Sequence, residues 1–321
     1  MNVSQGLTGL RDVAPGGVLS IGNFDGVHVG HASILSRVRT LANESVGSRV
    51  VVVTFEPHPL TVLRPDDVPP RLTTLRTKER LLKSAGVDDL IILPPTPEVL
   101  SLSAEQFWDI LRDDVKPTHV VEGIDFTFGK GRGGTMQRLK QWCDATAGAT
   151  TLHVVPDKTV VLSDLTLVPV SSTLIRYVIH HGRMRDATQC LGRPYTLEGR
   201  VEAGHQRGRT IGVPTANLNV DQQMIPGDGV YAGMCEVDGK IYPAAVSLGT
   251  MPTFGGGNKR QIEAHLIGFQ GDLYGRDLRV ELIDWLREQR KFNGVDALKA
   301  QLSRDIKSAG EAGSGLFPVE R

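Results

Sequence analysis

Cysteine is scarce in this chain: Cys143, Cys190 and Cys235 are odd in number, widely spaced and in no metal-ligand pattern. They cannot form a disulfide framework or a zinc site, and they point to free thiols in a reducing compartment. An excess of one charge is also lacking. Lys plus Arg and Asp plus Glu both total 36, so no field of one sign would recruit nucleic acid or an acidic membrane. No apolar run approaches the length of a membrane span, and Met1 to Gly17 carries no basic region leading into an apolar core and cleavage site. The expectation is a soluble, cytoplasmic protein whose partners are small molecules rather than nucleic acid or membrane. Assembly into a homo-oligomer is compatible with all of this. At 321 residues, two domains are the default.

What is present organises the chain in two halves. From Val18 to about Val170, strand-like runs (18–21, 50–54, 90–93, 119–122 and 151–155) alternate with helix-like segments (31–42, 77–85, 104–111 and 135–145). Such alternation predicts an α/β, doubly wound, Rossmann-like parallel sheet whose ligands bind beyond the strand C-termini. A helix is predicted from Ser172 to about Cys190. The punctuated Leu191-Gly192-Arg193-Pro194-Tyr195 then marks the passage between domains, read as 1–187 and 188–321. Beyond it, short alternating runs such as 196–202 and 230–237, separated by glycine-rich turns, predict a small antiparallel β-barrel. A terminal helix from about Val295 to Ile306 and a loose tail over 308–315 complete the expected fold.

The most informative stretch is Ser20-Ile21-Gly22-Asn23-Phe24-Asp25-Gly26-Val27-His28-Val29-Gly30-His31, an apolar strand turning through glycines into a helix. If the helix begins near Val27, His28 and His31 share one face close to an anion-attracting N-terminus, and Gly30 leaves room between them. Two imidazoles beside a triphosphate can stabilise the oxygens that gain charge when the α-phosphorus is attacked. That pattern points to nucleotidyl transfer, with Gly22, Phe24, Asp25 and Gly26 forming the turn around ATP; an ordinary strand-turn-helix is the plain alternative. Thr54-Phe55-Glu56-Pro57-His58-Pro59 ends the next strand at the same edge. After the last strand, Ser172, Thr173 and Arg176 offer hydroxyls and a guanidinium at a helix start, either a second phosphate grip or a simple cap.

Gly129, Gly131 and Gly134 satisfy G-x-G-x-x-G, but no acidic residue stands about twenty residues further on and the strand-to-helix glycine turn already lies at 22–30. The segment reads instead as a flexible basic loop carrying Lys130 and Arg132 beside Phe126 and Phe128.

In the second half, Arg207 to Leu218 (RGRTIGVPTANL) has glycines that let backbone approach phosphates, with Gly208, Arg209 and Thr210 at its start. Thr215 and Asn217 fall on one side if the segment is extended, and a hydroxyl with an amide oxygen suits Mg²⁺. Gln261 to Leu266 alternates like a barrel strand that projects Glu263 and His265 together. Glu263 could take the proton of an alcohol attacking a γ-phosphate, provided Thr215 and Asn217 are its neighbours.

Taken in order, GNFDGVHVGH, TFEPHP, the Gly123-to-Gly129 segment, SSTLIR, LGRPY, RGRTIGVPTANL, GDGVYAG, SLGTMPTFGGG, GDLYGRDLRVEL and the Arg290-Lys291-Phe292 region make the chain resemble the bacterial bifunctional riboflavin kinase/FMN adenylyltransferases, the prokaryotic FAD synthetases. The resemblance implies an N-terminal domain of the nucleotidylyl transferase superfamily that moves AMP from ATP to FMN, giving FAD and pyrophosphate. It also implies a C-terminal riboflavin kinase barrel using ATP and Mg²⁺. On the same ground His28, His31, Ser172 and Arg176 would grip ATP. His58, Asp125 and Phe126 would line the flavin side of the first site, and Arg290 and Phe292 that of the second. Thr215 and Asn217 would hold magnesium, and Glu263 would be the general base. Val213 and Gly268 depart from residues common in the family. Two rivals remain at this point: a transferase for another phosphorylated acceptor, which would not need the Thr215, Asn217 and Glu263 constellation, and a flavin-binding regulator without catalysis.

Overall fold

The structure, a computed structural model, describes residues 1–202, 212–252 and 258–314. By contacts the chain forms two compact units, one of Met1–Val160 with Val168–Val170 and the other of Val161–Leu167 with Ser171–Arg321.

The first unit runs β1 (Asn2–Gln5), β2 (Val18–Ile21), α1 (Val29–Asn43), β3 (Val50–Phe55), α2 (Leu60–Leu63), α3 (Leu75–Ser84), β4 (Asp89–Leu93), α4 (Pro97–Ser101), α5 (Ala104–Ile110), β5 (His119–Gly123), β6 (Thr127–Phe128), β7 (Gly134–Thr135), α6 (Met136–Asp144) and β8 (Thr151–Val155). Strands β9 (Thr159–Val161) and β10 (Leu167–Pro169) follow as a hairpin. The six-stranded sheet has the order β1-β4-β3-β2-β5-β8 with every pair parallel. The expected Rossmann-like architecture is present, because β-branched runs such as Val50 to Val53 are covered on both faces. Each of those valines is 0% exposed, and burial of such a side chain contributes roughly 1.5–3 kcal/mol. One face packs Leu19, Ile21, Val51 and Val53 against Phe107, Trp108 and Leu139; the other packs Val18, Val50 and Val52 against Leu35, Val38 and Leu82.

Strand β1 escaped the sequence reading. It is a short edge strand, and what docks it is tertiary: Asn2 Nδ2 donates to Asp89 Oδ1 at 2.8 Å, and Asp89 also accepts from Arg49, just before β3.

The second unit contains α7 (Ser172–His180), α8 (Met184–Leu191), β11 (Tyr195–Glu202), β12 (Ala216–Asn219), β13 (Gly229–Val237), β14 (Lys240–Pro252), β15 (Asn258–Leu266), β16 (Asp277–Arg287) and α9 (Val295–Ser314). Its strands close into an antiparallel barrel in the order β11-β12-β15-β14-β13-β16, with α9 packed on β13, β14 and β16. The single helix expected over 172–190 is two helices. Gly182 breaks it at φ +69°, in a space where a Cβ would meet Tyr231 Oη at 3.1 Å and Trp285 Cδ1 at 3.2 Å. That close approach, with Arg185 donating to Asp284 at 2.6 Å, packs α8 on the barrel, and α7 packs on α8 within the same compact unit. The loose tail expected from Ser308 is helical through Ser314, anchored by the fully buried Ala309.

Candidate active sites

The turn after β2 is strained. Phe24 (φ +46°) and Val27 (φ +38°) adopt left-handed backbone around Gly26 (φ +81°), a conformation that costs about 1–3 kcal/mol per non-glycine residue and persists only where surroundings enforce it. Asp25 is buried, and its carboxylate accepts from Leu72 N–H at 3.0 and 3.1 Å and from Thr73 N–H at 3.2 Å. Gly26 N–H donates to Thr73 Oγ1 at 3.3 Å, and the Phe24 ring is buried in the core. Asp25 therefore anchors the turn.

Helix α1 begins at Val29, between the conditional start near Val27 and the helix-like segment read from His31. His28 is its N-cap, and the ring Nδ1 accepts from His31 N–H at 3.3 Å. The two imidazoles stack with centroids 3.7 Å apart and planes 19° from parallel. Gly30 leaves room for the stack, since a Cβ there would lie 3.1 Å from the His28 ring and press on it. Burial pushes the His31 pKa well below its ordinary value, and His28 and Lys78 add to the effect. A neutral imidazole at the positive end of a helix can hydrogen-bond an anion held there. Its Nδ1 is buried and unpartnered.

The same sheet edge gathers more. Thr54 Oγ1 donates to Asn23 O at 3.1 Å, and Asn23 Nδ2 lies 3.3 Å from His58 Nε2, which brings TFEPHP to the turn as expected. Glu56 pairs with Lys78 at 2.9 Å and with Arg71 at 2.8 Å. Lys78 is buried, and neither it nor Arg71, Thr73 or Asn23 was picked out from sequence. The signal available was weak: one lysine and one arginine among polar helix and loop residues.

Phe126 stacks on Phe128 at 5.4 Å, with Asp125 exposed beside it. The segment expected to be a flexible loop is instead an ordered turn. Lys130 N–H donates to Leu102 O at 2.8 Å and Arg132 Nε to Thr127 Oγ1 at 2.9 Å, and Gly129 sits where a Cβ would be 2.4 Å from Ala104 Cα. The hydroxyl that caps α7 belongs to Ser171, accepting from Leu174 N–H at 3.1 Å. Ser172 and Thr173 occupy the first turn and Arg176 the next, on the second unit.

In the barrel, strand register does what spacing could only suggest. Asn217 on β12 stands directly opposite Glu263 on β15, and Glu263 stands opposite Ser247 on β14. Ala216, Leu218, Ile262, Ala264 and Leu266 are buried in the barrel core, while Asn217, Glu263 and Ser247 take the alternate face. Thr215, Glu263, Ser247, Gln289, Phe292 and Leu302 contribute to a cavity of about 240 Å³ beneath α9. A neighbouring cavity of about 310 Å³ is lined by Ala216, Ala264 and the 269–274 segment, and Thr215 borders both. His265 Nδ1 lies 2.7 Å from Pro214 O and so holds the segment before β12. Gly208, Arg209 and Thr210, expected to contact phosphate, lie outside the described residues.

The far wall of the smaller cavity is built from charge. Arg287 donates to the buried Asp305 at 2.7 to 3.2 Å, and Gln301 links Asp305 (2.7 Å) to Arg290 and to Arg304. The Phe292 ring lies under both guanidiniums, 5.7 Å from that of Arg287 and 5.2 Å from that of Arg290. Arg290 and Phe292 were expected at this site; Ser247, Gln289, Gln301 and Asp305 were not.

Among the described residues no three His, Cys, Asp or Glu side chains cluster to hold a metal, and no helix is long and apolar enough to cross a membrane. The FAD synthetase family model matches residues 11–164 and the riboflavin kinase family model residues 191–312. A bifunctional riboflavin kinase/FMN adenylyltransferase from Pseudomonas fluorescens is 38% identical over 96% of this chain and 97% of its own. Proteins of the same name from Escherichia coli K12 (36%, covering 97% of each chain) and Bacillus subtilis (35%, covering 91% of each) are similar. A crystal structure described as a macrolide-efflux protein from Streptococcus pneumoniae superposes with a TM-score of 0.86 at 31% identity, over 97% of this chain and 99% of that one. With both family models in sequence order and relatives matched end to end, this chain belongs to the bifunctional riboflavin kinase/FMN adenylyltransferase family.

Proposed function

We propose that the protein converts riboflavin to FMN in its barrel unit and FMN to FAD in its parallel-sheet unit, with the residues described above in the following roles. One observation carries the reading: each family model falls on a different unit, and each unit holds side chains suited to its own half of the chemistry. We assign residues 1–187 to adenylyl transfer and 188–321 to the kinase.

In the first unit His28 and His31 hydrogen-bond the ATP phosphates and stabilise charge that develops as the FMN phosphate attacks the α-phosphorus and pyrophosphate leaves. Gly22, Phe24 and Gly26 shape the turn that receives the nucleotide, and Asp25 holds that turn. His58, Asp125 and Phe126 line the flavin side.

In the second unit Glu263 accepts the proton of the ribityl hydroxyl as that oxygen attacks the γ-phosphorus and ADP leaves. Thr215 and Asn217 are the residues that would hold Mg²⁺. Their hydroxyl and amide oxygens are hard donors on the face shared with Glu263, and two protein ligands leave positions for water and phosphate. Bound there, the ion would neutralise phosphate charge. The smaller cavity, with Phe292 on its wall and Arg290 against that ring, takes the acceptor, and the larger neighbour beyond Thr215 takes ATP. The substrates are riboflavin, FMN and ATP, the site of action is the cytoplasm, and the organisation of any homo-oligomer does not enter the mechanism.

The deciding experiment is incubation of the protein with riboflavin, ATP and Mg²⁺ and chromatographic separation of flavins over time. FMN followed by FAD is expected. Unchanged riboflavin, together with no FAD from supplied FMN, would overturn the reading.

A further inference from the structure

The parallel sheet is not uniformly paired. β2 and β3 pair at Val18↔Val50, Leu19↔Val51, Ser20↔Val52 and Ile21↔Val53, whereas β2 and β5 pair only at Val18↔His119 and Leu19↔Val120. These two strands are also where the sheet order reverses, with β3 and β4 laid down on one side of β2 and β5 and β8 on the other. A crevice for ligands opens at such a reversal.

The gap has a side-chain cause. Val18 and Gly22 direct their N–H groups to Arg49 O (2.8 Å) and Val53 O (3.0 Å) on the β3 side, so the N–H of Ile21 faces β5. It meets no strand carbonyl there. It donates to Glu122 Oε1 at 2.7 Å, and Glu122 is 2% exposed.

We propose that Glu122 is a positioning residue for adenylyl transfer: its carboxyl group takes the place of a ladder carbonyl at Ile21 and so sets where β2 parts from β5 and where the Gly22–Val27 turn begins. The proposal rests on the assignment of adenylyl transfer to this unit. Its physical content is reach. A glutamate inserts its oxygen between the strands while its own backbone stays in the β5–β8 ladder, where Glu122 pairs with Val154. With that oxygen removed, Ile21 N–H is left buried and unpaired, or β5 must move in to meet it; either change shifts the turn carrying His28. A displacement of about 1 Å in such a turn is enough to lower a catalytic rate by up to about 10²-fold.

The test uses the full-length protein and measures FAD formation from supplied FMN and ATP, with riboflavin phosphorylation by the same preparation as a control for the intact chain. Glu122→Gln keeps the acceptor oxygen and should hold kcat for FAD formation within about twofold of the parent. Glu122→Ala lacks the oxygen, and Glu122→Asp is one methylene too short. Both should lose about tenfold or more in kcat, with a smaller change in KM for FMN and no change in the kinase rate. Should Glu122→Ala fail to fold, the Gln and Asp pair decides the question. Parental kcat in Glu122→Asp, or an equal loss in Glu122→Gln, would overturn the proposal while leaving the adenylyl-transfer assignment intact. Absence of FAD formation in the parent protein would overturn that assignment itself.

Discussion

Asn217 and Glu263 face each other across two adjacent antiparallel barrel strands, a register that brings an amide and a carboxylate together from positions 46 residues apart. Directly opposed side chains on such strands have Cβ atoms about 4.5–5.5 Å apart, close enough for one bound group to touch both.

Glu263→Gln should abolish FMN formation, lowering the kinase rate by about 10²–10⁴-fold, because the amide cannot accept the hydroxyl proton. FAD formation from supplied FMN should be largely unchanged. Flavin chromatography with each substrate in turn checks both statements.

His28→Ala combined with His31→Ala should do the reverse, removing FAD formation while riboflavin is still phosphorylated. Loss of both activities in this double variant would sink the two-site assignment.

Thr215→Ala and Asn217→Ala should raise the Mg²⁺ concentration needed for half-maximal kinase rate, since each removes one hard oxygen donor. A magnesium titration of riboflavin phosphorylation measures this, and an unchanged midpoint in both variants would exclude them as ligands.

Two buried groups should give the first unit opposing pH responses. Burial holds the His31 pKa well below its ordinary value, so the unfolded chain binds the additional proton first and stability falls as pH drops below about 6.5 toward the folded value. Burial lifts the Glu122 carboxyl well above the usual carboxylate range, with the Ile21 N–H pulling the other way. Its contribution is therefore present below about pH 4.3 and is lost as pH rises toward the folded value. Urea midpoints across this range should show Glu122→Gln gaining on the parent with rising pH. A constant difference between them would contradict the assignment.

Asp305→Ala should lower barrel stability by about 3–5 kcal/mol, because it strands Arg287 in a largely buried position. It should also weaken riboflavin binding, since Phe292 rests against that guanidinium. Thermal unfolding and a riboflavin titration check the two effects.

Much of this was legible before any coordinates. Strands β3 and β4 announced themselves because Val50 to Val53 and Leu90 to Leu93 are unbroken apolar runs, which only a sheet covered on both faces accommodates. Gly22 to His31 and Thr215 to Asn217 are legible because each is a local motif, whereas the pairing of Asn217 with Glu263 needed the barrel register. Strand β1, with Val3 exposed at the sheet edge, carries no such run and was missed. The bend at Gly182 was missed too: one glycine in a helical pattern does not reveal that Tyr231 and Trp285 crowd it. Helical residues 308 to 314 read as a tail because their small side chains lack an apolar stripe, yet Ala309 is small enough to pack fully.

The sequence by itself determined the two-part organisation, the strand-to-helix glycine turn and the histidine pair. Each of these depends on residue types within a few positions of one another, where backbone periodicity and glycine sterics act directly. Only the tertiary structure decided that Asp25 anchors the turn through Leu72 and Thr73, that Glu122 completes the ladder at Ile21, and that Asp305 and Gln301 hold the wall around Phe292. Those roles arise from buried hydrogen bonds between distant segments. A polar side chain reads the same in sequence whether it will face water or satisfy a buried N–H, and the choice is made by what the fold brings against it.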